Sequence, residues 1–147
     1  RSRADTGFYN YCCMAQIETN GTQLLEKILD DELQWHNALF NISPKLFNVT
    51  GEKDAWDADV ISQLIATECQ IALKFVVNGT IAAFDELDSK VKELGTEMPI
   101  YIMPVGSSYE QQSDYKTINK IATMAVERGY HISGRLHCLT FGNSVDR

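Results

Sequence analysis

The sequence predicts an α/β fold: a partial (β/α) barrel on a mostly parallel sheet. Two observations carry this. Short β-rich runs alternate with amphipathic helical stretches, and the connections between them are brief. The runs also end on turn chemistry, with Asn78-Gly79 after a strand and Gly95 and Gly129 after helices. Such alternation implies right-handed crossovers between parallel neighbours. Five predicted strands and four predicted helices amount to roughly half to two thirds of a (β/α) barrel.

Taken in order, Tyr11–Glu18 is the first strand, and Gln23–Leu33 is helical with Leu25, Ile28, Leu29 and Leu33 on one face. Ala38–Ile42 is a second strand ending at Ser43-Pro44. Asp57–Cys69 is helical, with Val60, Ile61, Leu64 and Ile65 spaced for one buried stripe. Ile71–Val77 is a strongly β-rich run. Ile81, Phe84, Leu87, Val91 and Leu94 form the next helical stripe, with Thr80 as N-cap. Pro99–Pro104 is a strand. Ser108 followed by Gln111 fits a capping box for one helix through Arg128, whose stripe includes Tyr115, Ile118, Ala122 and Ala125. Tyr130–Phe141 supplies a final extended segment.

The 147 residues are enough for one domain with a real core, and 44% hydrophobic content is ordinary for a soluble protein. Residues 1–10 read as a disordered or artificial start, and 11–147 as one domain. No apolar run reaches the ~20 residues needed to cross a bilayer, and no secretory signal opens the chain. Location in the cytoplasm is expected. A net charge of −7 disfavours nucleic acid as a partner, because phosphate binding needs a basic face. Small-molecule partners are expected instead.

The four cysteines, Cys12, Cys13, Cys69 and Cys138, show no C-x-x-C spacing, so no zinc or iron–sulfur site is expected from them. They read as reduced, packed thiols. N-x-S/T occurs at Asn20, Asn41, Asn48 and Asn78, which leaves a secreted glycoprotein as a minor alternative. Asn41 lies in an apolar strand-like run, where a glycan would disrupt packing.

In parallel α/β folds, ligands gather at the carboxyl ends of strands. The strings there are Ile17-Glu18-Thr19-Asn20-Gly21-Thr22, Ile42-Ser43-Pro44-Lys45-Leu46 and Ile102-Met103-Pro104-Val105-Gly106, and the fifth extended segment contains Arg135-Leu136-His137. Singly, each has an ordinary explanation as a turn, a strand exit or a core histidine. Together with Lys74-Phe75-Val76-Val77, Glu127-Arg128-Gly129-Tyr130 and Phe141-Gly142-Asn143, they resemble the 7-carboxy-7-deazaguanine synthase family of radical S-adenosylmethionine enzymes. The resemblance covers about Met14 to near the C-terminus, so the chain is similar to the C-terminal portion of that family, with the N-terminal strands missing.

The resemblance implies a homodimer and a ring contraction of 6-carboxytetrahydropterin with loss of ammonia, in the pathway to queuosine. It implies S-adenosylmethionine, a [4Fe-4S] cluster and magnesium for the full-length family. By position, Ser43, Pro44 and Lys45 would line the S-adenosylmethionine site, with the Lys45 ammonium pairing with the methionine carboxylate. Met103, Pro104, Val105 and Gly106 would hold its other side. Glu18 and His137 would be the catalytic, pterin-binding pair, handling protons near neutral pH. The family's C-terminal carboxylate approaches substrate, which gives that place here to Arg147.

The family's cluster-binding cysteine motif is not in this sequence, so no electron source for reductive cleavage is present and the fragment is expected to be inactive alone. A different class of reading is a non-catalytic α/β module binding a nucleoside-like ligand at the strand ends.

Overall fold

The computed structural model describes residues 15–23, 38–67, 69–95 and 98–142. Ala15–Thr19 (β1), Ala38–Ile42 (β2), Gln70–Val77 (β3), Ile100–Pro104 (β4) and His131–Ile132 (β5) form one sheet in the order β1-β2-β3-β4-β5. Every pairing is parallel. Each strand lies beside its successor, so the sheet winds in one direction, as an arc of a (β/α) barrel does. The described helices are Phe47–Thr50 (α1), Ala58–Ile65 (α2), Ile81–Leu94 (α3), Tyr109–Ser113 (α4), Tyr115–Glu127 (α5) and Leu136–Phe141 (α6).

Local sequence sets most of these boundaries. Asp57 caps α2 by accepting from the Val60 amide at 3.0 Å, and Thr80 caps α3 by accepting from Ala83 at 3.3 Å. Gly95 takes the left-handed conformation that ends α3. The predicted capping box is present, with Ser108 and Gln111 each bonding the other's backbone. Two Asn-Gly-Thr strings make the same turn at two strand ends. Asn20 Oδ1 accepts from the Thr22 amide and hydroxyl at 3.2 and 2.9 Å, and Asn78 Oδ1 from those of Thr80 at 3.1 and 2.7 Å. Turn chemistry therefore accounts for both strings.

Three elements differ from their expectations. The helix predicted from Ser108 to Arg128 is two helices, broken at Asp114. Asp114 leaves helical geometry at ψ 91° and its carboxylate starts α5 afresh, taking the Thr117 hydroxyl at 2.6 Å and the Lys116 amide at 3.2 Å. The hydrogen bond from Thr117, foremost, holds that carboxyl below its usual range. The final extended segment is only a two-residue strand, and Leu136–Phe141 is helical. Ser133-Gly134-Arg135 separates the two, and only His131 and Ile132 pair with β4. Helix α1 had no sequence signal. It lacks a side-chain cap of its own, and Glu86 of α3 supplies one, accepting from the Phe47 and Asn48 amides at 2.8 and 2.9 Å. The first strand is described from Ala15; Tyr11–Met14, the expected start over 1–10 and the helix expected after Gln23 lie outside the described residues.

One face of the sheet carries the core. Phe40, Ile42, Leu73, Phe75, Val77, Ile100 and Ile102 pack with Val60, Ile61 and Leu64 of α2, Phe84 and Leu87 of α3, and Ile121 and Ala125 of α5. Each buried side chain of this size contributes about 1.5–3 kcal/mol. Gly21 is required where β1 leaves the sheet: its φ is +72°, and a Cβ there would stand 2.8 Å from Ile42 and 2.9 Å from Ile61. Where α5 turns into β5, Asp88 accepts from Arg128 Nε at 2.9 Å and from the Tyr130 hydroxyl at 2.7 Å. Burial, then the hydrogen bond to Asp88, pushes the Tyr130 phenol above its ordinary pKa.

Candidate functional site

Residues that pair across parallel strands share a face, so the register fixes what the opposite face presents. Ile42↔Leu73 and Leu73↔Ile100 belong to the helix-packed side. Between them fall the residues of the other side: Gln16 and Glu18 of β1, Leu39 and Asn41 of β2, Ala72, Lys74 and Val76 of β3, Tyr101 and Met103 of β4, and His131 of β5. None of these belongs to the core cluster.

Two polar rows cross this face. In the first, Glu18 pairs with Asn41, and the Asn41 amide donates to Glu18 Oε1 at 2.7 Å. Gln16 donates to the same oxygen at 2.9 Å. Asn41 is 2% exposed, so this bond satisfies a buried amide that would otherwise cost stability. In the second, Lys74 pairs with Tyr101 and Tyr101 with His131. The Tyr101 and His131 rings stack, with centroids 5.2 Å apart and planes at 30°.

At the carboxyl ends of the strands the loops are tied down. The Ser43 amide donates to Thr19 O at 2.7 Å, Val105 to Val77 O at 2.8 Å and Ser133 to Ile102 O at 2.8 Å. Buried Gln112 of α4 donates to the carbonyls of Pro104 and Gly106, both at 3.1 Å, and Arg135 donates to Gly106 O at 3.2 Å. Gly106 sits at φ +128°, and a Cβ there would meet Gln111 at 2.7 Å.

The sequence-predicted residues are distributed as follows. Ser43, Pro44 and Lys45 follow β2, with Pro44 buried and Lys45 exposed and paired with Glu52 at 2.9 Å. Met103 and Pro104 end β4, and Val105 and Gly106 follow it, so both groups stand on the same rim, separated by the end of β3. Glu18 lies on β1 and His137 on α6, beyond β5; the two share no hydrogen bond, and His137 is exposed on a helix rather than on a strand. Arg147 lies outside the described residues. The reading missed Asn41, Lys74, Tyr101 and His131 as face residues and Gln112 as an anchor. A charged Lys74 inside an apolar run was the available signal. Among the described residues, no cluster of three His, Cys, Asp or Glu side chains suits a metal ion.

Compared with known families, residues 47–126 match the XylR N-terminal domain, just over half of the chain. The chain belongs to the XylR N-terminal domain family. That family is of the periplasmic-binding-protein-like kind. No curated protein and no solved structure matches the chain. The match runs from α1 through most of α5 and takes in Lys74, Tyr101, Met103 and the Gly106 loop; Glu18, Ser43–Lys45 and His131 fall outside it.

This match overturns the resemblance to 7-carboxy-7-deazaguanine synthase, and with it the radical S-adenosylmethionine, iron–sulfur and queuosine readings. The physical reason is visible at the strand ends. Asn-Gly-Thr, Ser-Pro and Pro-x-Gly are how a parallel strand turns into its crossover, so they recur wherever that geometry recurs. The roles given to Ser43–Lys45, Met103–Gly106, Glu18 and His137 drew on that resemblance alone. The family match fits the non-catalytic ligand-binding alternative better than a radical S-adenosylmethionine fragment.

Proposed function

We propose that this chain is a non-catalytic α/β domain that binds a small polar molecule at the carboxyl ends of β1–β4, against the sheet face opposite the helices. Membership of the XylR N-terminal domain family carries the reading, since that family is periplasmic-binding-protein-like. The geometry agrees with it. A rim of anchored loops surrounds a face where the exposed Glu18 carboxylate, held by Asn41, offers hydrogen-bond acceptors and Tyr101 a ring on which a flat or polyhydroxylated ligand stacks. A nucleoside-sized ligand suits both features. Among the described residues no helix is long and apolar enough to cross a membrane. Buried Cys138, a free thiol, supports a place in the reducing cytoplasm.

Calorimetric titration with adenosine and with glucose tests the reading. Saturable binding of either, weakened at least tenfold by Met103→Lys without loss of the folded circular-dichroism spectrum, is the expected result. Binding of neither probe by a chain that also fails to bind inorganic phosphate and acetate, or binding indifferent to Met103→Lys, overturns it.

A further inference from the structure

The described basic side chains that are half-buried number four: Lys74, Lys90, Arg128 and Arg135. Three have acceptors. Lys90 lies 3.7 Å from Glu86, Arg128 bonds Asp88 at 2.9 Å, and Arg135 bonds Gly106 O at 3.2 Å. Lys74 has no hydrogen bond or ion pair with any described residue. A half-buried ammonium with no acceptor among the described residues keeps its donors available to an anion from outside the chain. Its place is defined: it projects from the middle of the central strand, on the face away from the core, level with Tyr101 and, one strand further, His131.

Strands lie about 4.8 Å apart, so the three head groups span on the order of 10 Å across β3, β4 and β5. An ammonium, a phenol and an imidazole all donate hydrogen bonds, and neither Tyr101 nor His131 spends its donor on a described residue. The ring stack fixes Tyr101 against His131. The row is thus a donor array in a chain whose net charge is −7.

We propose that Lys74, Tyr101 and His131 grip an oxyanion, a phosphate or carboxylate group, on the ligand of the sheet face opposite the described helices. Lys74 supplies the charge, and Tyr101 and His131 orient the oxygens. This rests on the small-molecule-binding reading above and adds the ligand's chemical class to it. Glu18, on the far side of the same face, repels an oxyanion and so sets the ligand's direction across the sheet.

The test is nuclear magnetic resonance of the His131 ring in the full chain, titrated at constant ionic strength with inorganic phosphate and, separately, with acetate. A saturable shift with either probe is expected, with affinity reduced at least tenfold in Lys74→Met, several-fold in Tyr101→Phe, and largely retained in Lys74→Arg. Response to phosphate alone assigns a phosphate ligand; response to acetate assigns a carboxylate. A linear, non-saturating response to both, or one unaltered by Lys74→Met, overturns the proposal. Adenosine and glucose titrated into the same samples separate the two failures: binding of either without an oxyanion response overturns the grip alone, and no binding at all overturns the ligand-binding reading as well.

Discussion

The two faces of one sheet obey different rules here. On the helix side, Phe40, Ile42, Leu73, Phe75, Val77 and Ile102 are buried and contribute to a single cluster. On the other side, the same strands present Glu18, Asn41, Lys74, Tyr101 and His131, most of them half-buried or exposed. One residue's shift along β3 separates Phe75 from Lys74, a core aromatic from a charge. The period of two therefore sorts each strand into a half that packs in the core cluster and a half that lies outside it.

The largest effect expected to break this comparison is Phe75→Ala. It removes a fully buried ring between helices and sheet, and a loss of about 3–5 kcal/mol is expected in urea unfolding, against about 1 kcal/mol or less for Val76→Ala one residue away. Equal losses would mean that both faces are core.

Gly21→Ala comes next. It forces a side chain into positive φ and against Ile42 and Ile61, and about 1–3 kcal/mol of destabilisation is expected, read as a lower urea midpoint at unchanged m-value. A neutral result would show that the β1 exit is not packed on the core.

Tyr130→Phe sharpens the helix side by pH. The Tyr130 phenol is raised in the folded chain, so its contribution is fully present below the ordinary phenol value of about 10 and is lost as pH rises above it, where only the unfolded chain ionises. Near pH 7 the variant is expected to lose about 1 kcal/mol, the Asp88 hydrogen bond. Above pH 10 its stability is expected to fall less steeply than that of the parent, as thermal unfolding across pH 7–11 would reveal.

The smallest effect belongs to the face outside the core cluster. Lys74→Met is expected to change stability by within about 0.5 kcal/mol, because no described partner is left behind. A large loss would place Lys74 in the structural half of the molecule.

Much of the fold was legible because its signals are local. Thr80, Gly95 and the Ser108–Gln111 box mark helix ends by bonds made within four residues. The candidate site was less so. Ser43-Pro44 and Pro104-Val105-Gly106 are visible as strand exits, but such strings report the turn and not the ligand, and reading them as chemistry led to the wrong family. Asn41 looked like a strand residue and is one; that its amide faces Glu18 depends on the register of two strands separated by a crossover.

By itself the sequence determined the alternation of strands and helices, their caps and the apolar half of each strand, because period, turn and capping chemistry act between residues a few positions apart. Only the tertiary structure decided that the strands wind in one direction, that Glu86 caps α1 from another helix, that Gln112 and Arg135 hold the Gly106 loop, and that Lys74, Tyr101 and His131 form one row. Those relations join residues tens of positions apart, and strand pairing alone brings them level.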